Sequence, residues 1–124
     1  MSEPVPDAKV LVVDDDDDVR DVAVAILREL GYDVIEANGG APALGILQSG
    51  EPVDLLLTDL AMPGMNGIEL AHRAVSLRPA LKVLYTSAYV RAADNDPALR
   101  YGPVIEKPWV LRDLREVLAT LLGR

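Results

Sequence analysis

Short apolar runs alternate with helically spaced apolar positions along this chain, and the alternation repeats five times. Residues 10–13, Val-Leu-Val-Val, predict a buried strand, after which Val19, Val22, Ala23, Ile26, Leu27 and Leu30 return at helical intervals until Gly31 caps the element. Residues 32–37 predict a second strand. Asn38, Gly39 and Gly40 then turn into a helix with Pro42 in its first turn, where a missing N–H is tolerated, running to about Gln48. Residues 53–58 form the most apolar strand, interrupted only by Asp54, which predicts a central place in the sheet. Ile68, Leu70, Ala71, Ala74, Val75 and Leu77 mark a third helix closed by Arg78 and Pro79, and residues 81–85 a fourth strand. The pattern decays over residues 89–102, where Asp94, Asn95, Asp96 and Pro97 interrupt it, so a fourth helix there is expected to be short or irregular. Residues 103–106 give a fifth strand, and Leu111, Leu114, Val117, Leu118 and Leu121 a final amphipathic helix.

Alternating strands and helices imply an α/β fold: a doubly wound, five-stranded parallel sheet with right-handed crossovers and helices on both faces. Functional groups in such sheets lie beyond the carboxyl ends of the strands. The residues there are Asp14 and Asp15 after the first strand, Asp59 after the third, Thr86 and Ser87 after the fourth, and Lys107 after the fifth. Three carboxylates meeting at one sheet edge cannot all stay ionised without a compensating cation, so the pattern predicts a divalent metal site. Other polar residues have plainer readings. Asp16, Asp17 and Asp18 suit a solvated cap at a helix start, and His72 falls on the polar side of the third helix. Met62 and Met65 read as turn and core fillers, and register favours Ser87 over Thr86 as the functional hydroxyl.

Composition narrows the partners. With 124 residues the chain suits one domain, and without Phe its core must be built from Val, Leu, Ile and Ala. A net charge of -8 argues against direct nucleic-acid binding and against an anionic membrane surface. The absence of cysteine excludes disulfides and thiolate metal sites. Residues 1–7 carry Glu3, Asp7 and two prolines, which predicts a disordered tail and no signal peptide. No apolar run approaches the roughly 18 residues of a membrane span, so a cytoplasmic protein is expected.

Four motifs in order, Asp14-Asp15, Asp59 with Met62-Pro63-Gly64-Met65-Asn66-Gly67, Ser87-Ala88 and Lys107-Pro108, make the chain resemble the receiver domains of two-component response regulators across nearly all its length. The resemblance implies strand order 2-1-3-4-5 and a phosphoryl group accepted by Asp59 from a phosphohistidine on a sensor histidine kinase or a histidine phosphotransfer protein. It implies Mg²⁺ held by Asp15, Asp59 and the backbone carbonyl of Ala61, with Asp14 acting mainly through water. Lys107 would bind the phosphoryl oxygens, Ser87 would bond them once present, and the Lys107–Pro108 peptide would be cis. The chain would be a switch rather than an enzyme, its chemistry limited to gaining and hydrolysing an acyl phosphate. Its output would be an unidentified protein target, reached as a monomer or as a phosphorylation-dependent dimer. Residues 85–89, Tyr-Thr-Ser-Ala-Tyr, resemble receivers attached to hybrid kinases and so point to a phosphorelay.

One position departs from that family: three residues before the lysine, where receivers commonly carry an aromatic switch, stands Val104. Tyr89, Tyr101 and Trp109 are the substitutes at hand, though each reads more readily as a partly buried packing residue. Two rival functions follow from the residues. Asp15-Asp16-Asp17-Asp18-Val19 formally satisfies the nucleophile motif of haloacid-dehalogenase phosphatases, with Asp15 or a neighbour as nucleophile, but leaves the Asp59 turn unexplained. A degenerate receiver, binding partners without phosphorylation, would explain Val104 but not the intact acidic pair, Asp59, Ser87 and Lys107.

Overall fold

Five strands, β1 (Lys9–Val13), β2 (Asp33–Ala37), β3 (Leu55–Asp59), β4 (Lys82–Ser87) and β5 (Val104–Glu106), form one parallel sheet in the order β2-β1-β3-β4-β5. The structure is a computed structural model that describes residues 8–88 and 97–123. Among the described residues four α-helices, α1 (Asp17–Glu29), α2 (Gly40–Gln48), α3 (Gly67–Leu77) and α4 (Leu111–Leu122), cover the sheet. The expected alternation is therefore realised, with the expected strand order. Strand order reverses between β1 and β3, and that switch point is where open parallel sheets place their functional groups, beyond the strand ends.

Side-chain alternation sorts the helices between the two faces. Leu11, Val13 and Leu56 pack with Ala43, Leu44 and Leu47 of α2 and with Leu70 and Ala74 of α3. On the other face Val10, Val12, Leu55, Leu57 and Leu84 pack with Ala23, Val24 and Leu27 of α1 and with Leu114 and Leu118 of α4. All five residues of β3 are buried, as its near-continuous apolar sequence requires of a strand covered on both faces. Each fully buried leucine stabilises the fold by roughly 1.5–3 kcal/mol of solvent transfer, so β3 is its strongest apolar anchor.

Asp54 shifts that strand by two residues from its predicted start. Its Oδ2 accepts the backbone N–H of Lys9 at 2.8 Å, tying the start of β1 to the residue that precedes β3. Between β4 and β5 the described residues hold one 3₁₀ turn, Pro97–Leu99. Residues 89–96 of the expected short helix, like the tail expected over residues 1–7, lie outside the described residues. Among the described residues no helix is long and apolar enough to cross a membrane.

Candidate phosphoacceptor site

Register carries the acidic residues together. Val13 pairs with Thr58, so the residues that follow them, Asp14 just past β1 and Asp59 at the end of β3, stand at adjoining positions. Asp14 is 3% exposed, and its Oδ1 accepts the N–H of Asp16 at 2.9 Å, which turns the carboxylate inward. The chain then enters α1 through Asp16, whose Oδ1 accepts from the N–H groups of Asp18 at 3.0 Å and Val19 at 3.1 Å. Asp17 and Asp18 occupy the first helical turn, where the helix dipole favours negative charge.

Asp59 ends β3 and is 9% exposed. Beyond it the chain loops over residues 60–66 into α3, with the N–H of Gly67 donating to Leu60 O at 2.9 Å. A Cβ at position 67 would collide with the Asp59 carbonyl oxygen, so only glycine lets α3 begin this close to the site. Gly64, at φ +74°, makes the turn, and the Asn66 side chain caps α3 by accepting the N–H of Glu69 at 2.9 Å. Met62 is buried and Met65 packs against the same cluster, as fillers.

Lys107 approaches from the far edge. Its backbone N–H donates to Ser87 O at 2.9 Å, and its ammonium lies 2.9 Å from Asp14 Oδ2 and 3.3 Å from Asp59 Oδ1. The Lys107–Pro108 peptide is cis. Burial pushes the Asp59 carboxyl above the usual carboxylate range, and Asp14 and Asp15 add to that while Lys107 opposes it. Burial works to lower the lysine, but its bonds and charge attraction to Asp14 and Asp59 prevail and hold it above its ordinary value. One oxygen each from Asp14, Asp15 and Asp59 lie within 4.8 Å of one another, with Asp15 exposed and the other two buried. Three hard oxygen donors on one open edge suit a small divalent cation such as Mg²⁺.

The remaining candidates fall around this centre. Ser87 ends β4 half-buried, in register with Glu106, and Ala61 lies exposed two residues past Asp59. His72 is exposed as expected, yet its Nδ1 lies 2.7 Å from the Tyr101 hydroxyl, which also accepts from Arg100 Nη2 at 3.0 Å. Val104 is paired in register with Tyr85, and both pack in a third apolar cluster with Tyr101. Tyr89, another candidate for the switch role, lies outside the described residues.

Two features escaped the sequence reading. Tyr85 is completely buried with a hydroxyl that has no hydrogen-bond partner among the described residues, and burial raises its pKa to about 12. Thr86, also buried, uses Oγ1 to accept the indole N–H of Trp109 at 3.0 Å. The latter had a faint signal: the chain's one tryptophan stands two residues after Lys107, and an indole N–H near a core needs an acceptor.

Comparison with known proteins agrees with this geometry. The model of the response regulator receiver domain matches residues 10–119. The response regulator receiver protein CpdR of Brucella abortus is 40% identical over 116 residues, covering 92% of this chain and 96% of that protein. The sensor kinase CckA of the same organism is 35% identical over 120 residues, which are 94% of this chain but only 13% of the kinase. Among solved structures, the response regulator TrrA of Thermotoga maritima, in complex with Mg²⁺ and BeF, superposes with a TM-score of 0.85 at 29% identity, covering 93% of this chain and 99% of that one. With a parallel sheet in the order 2-1-3-4-5 and an acidic cluster at its switch point, the chain belongs to the response regulator receiver domains of two-component signalling.

Proposed function

We propose that Asp59 accepts a phosphoryl group, with Mg²⁺ held by Asp15, Asp59 and the carbonyl of Ala61 and with Asp14 acting through bound water. The observation that carries this reading is the convergence of Asp14, Asp15 and Asp59, with the Lys107 ammonium paired to Asp14 and Asp59. When bound, the metal neutralises charge on the transferring group so that one anion can approach another. Asp59 supplies the attacking carboxylate oxygen: its bond to phosphorus forms as the phosphorus–nitrogen bond of the donor histidine breaks, and the imidazole keeps that electron pair. Lys107, already between two carboxylates, needs only a small displacement to meet phosphoryl oxygens as a point charge. Ser87, at the end of the neighbouring strand, offers a hydroxyl to the same oxygens.

The donor is a phosphohistidine on a sensor histidine kinase or a histidine phosphotransfer protein, and the similarity to part of CckA supports a place in a phosphorelay. The added charge of about -1.5 to -2 would draw Ser87 and Lys107 inward and shift the conformation of a surface that binds a protein target, in a cytoplasmic setting. Catalysis is confined to the chain's own acyl phosphate. A haloacid-dehalogenase activity is the weaker reading, because Asp16, Asp17 and Asp18 of its motif form the cap and first turn of α1 and the buried Asp59 would go unused.

Incubation with Mg²⁺ and acetyl phosphate, read by intact-mass spectrometry, tests the assignment. One phosphoryl group is expected on the wild type and on Asp17→Asn, and none on Asp59→Asn. Hydrolysis of a phosphate ester that needs Asp15 and ignores Asp59 would replace this reading with the phosphatase. A wild type that stays unlabelled yet binds a partner would replace it with a phosphorylation-independent module.

A further inference from the structure

Lys107 stands at the end of the weakest part of the sheet. β5 is three residues long and pairs only with β4. On one side the lysine borders an apolar cavity of about 430 Å³, shared with Val19, Val22, Ile26, Ala88 and Trp109, so packing on that side does not hold its stem. Besides the ammonium contacts to Asp14 and Asp59, two hydrogen bonds tie this stretch to β4. One runs from the Lys107 N–H to Ser87 O, and the other from the Trp109 indole to Thr86 Oγ1. Both acceptors are consecutive residues of β4, and Thr86 is the register partner of Asp59. The indole bond therefore fixes residues 107–109 against the strand pair that carries the acceptor carboxylate.

From this geometry we propose that Thr86 is a positioning residue for Lys107, acting through the indole of Trp109. The proposal rests on the phosphoacceptor reading. Thr86 touches no reacting atom. The residue is 2% exposed, so its hydroxyl cannot turn to solvent for a replacement partner. Loss of the bond frees the Trp109 ring toward the open cavity and lets residues 107–109 carry the ammonium away from its place beside Asp14 and Asp59. A single neutral bond limits the size of the effect, and its geometry limits its kind: the maximal rate should change, not donor binding.

Thr86→Val keeps the shape and removes the acceptor; Trp109→Phe removes the donor; Thr86→Ser keeps the acceptor. With saturating Mg²⁺ and acetyl phosphate, Thr86→Val and Trp109→Phe should each slow the maximal phosphorylation rate about three- to tenfold, leaving half-saturation by the donor near its wild-type value. The double variant should be no slower than the slower single variant, and Thr86→Ser should recover the rate. Independently of phosphorylation, exchange of the Lys107 backbone amide should speed up in Thr86→Val and not in Thr86→Ser. Losses that multiply in the double variant, or a Thr86→Val that melts earlier yet labels at the wild-type rate, would overturn the proposal. A wild type that takes no phosphoryl group would remove the phosphoacceptor reading itself. The amide exchange then still decides whether Thr86 positions Lys107, and unchanged exchange in Thr86→Val refutes it.

Discussion

Asp14 and Asp17 are three residues apart and chemically identical, yet they belong to two different electrostatic regions. Asp14 is buried beside Asp59, and the pair depends on the Lys107 ammonium at 2.9 and 3.3 Å. Asp17 is 79% exposed and pairs with Arg20 at 2.6 Å while water solvates the rest of it. Arg20 does not depend on Asp17 alone, since it also donates to Asp14 O at 2.8 Å and to Glu36 at 3.2 Å. Desolvation separates the regions. A carboxylate in water loses little when its partner leaves, whereas a buried one must find another cation, take up a proton or unfold the protein. The same dependence that makes the buried site costly makes it responsive, because any cation or phosphoryl group that enters changes its charge balance.

Lys107→Ala tests the contrast most severely. It leaves two buried carboxylates without their cation, and the metal-free protein at pH 7 should lose about 3 kcal/mol of stability, toward the low end of the cost of an uncompensated buried charge. Maximal phosphorylation should fall about a hundredfold, as when one charge-stabilising group is removed from a transition state. The pH dependence has a definite sign. The folded-state pKa of Asp59 lies above its ordinary 3.8, so its proton is held more tightly in the folded than in the unfolded state. Its ionisation therefore costs stability as pH rises from 3.8 through the folded-state value, and acidification returns that stability. Without Lys107 the carboxyl loses its principal opposing charge, so this acid-side recovery should be larger and extend to higher pH. Urea melts from pH 4 to 8, with and without Mg²⁺, measure both effects; a pH-independent loss would mean that packing, not charge, was removed.

The fold and the centre of the site were legible for a physical reason. Buried parallel strands read as apolar runs, and in such sheets polar groups collect where strands end, so Asp14, Asp59 and Lys107 marked themselves by breaking the pattern. The strand order itself came with the family resemblance, since periodicity does not reveal which strands are neighbours. What stayed hidden depends on pairing across the sheet. Thr86 reads as an ordinary β-branched strand residue until Trp109, 23 positions later, is seen to donate to it. Tyr85 reads as another aromatic until register places it against Val104 in a cluster whose described residues give its hydroxyl no partner. His72 carried no signal for Tyr101, because that contact joins α3 to the residues leading into β5.

Tyr85 sharpens the comparison by presenting burial with no charge and, among the described residues, no compensating partner. Tyr85→Phe removes only the unpaired hydroxyl, so the variant should be more stable by about 1 kcal/mol, the lower end of the cost of an unsatisfied buried polar group. The same group predicts an alkaline effect. Between its ordinary 10.0 and its folded value of about 12 the unfolded chain ionises first, and stability falls with rising pH. Tyr85→Phe should lose that part of the decline. Denaturant melts at pH 7 and 11 give both numbers, and a destabilised Phe variant would mean that the hydroxyl has a partner in solution.

The smallest expected effect lies on the exposed side. Asp17→Asn removes the Arg20 partner and one charge from the first turn of α1, but Arg20 keeps Asp14 O and Glu36, and Asp16 still caps the helix. The ion pair and the dipole contribution together should amount to about 0.5 kcal/mol at low ionic strength. Salt screens exposed charges over about 3 Å at 1 M, so the difference between wild type and variant should disappear there, whereas the Lys107→Ala deficit should persist. Melting both variants across a salt series distinguishes the regions directly. An Asp17→Asn deficit that survives at high salt would show that this carboxylate supports the inward turn of Asp14 through Arg20, and the boundary between the two regions would then move outward to include α1.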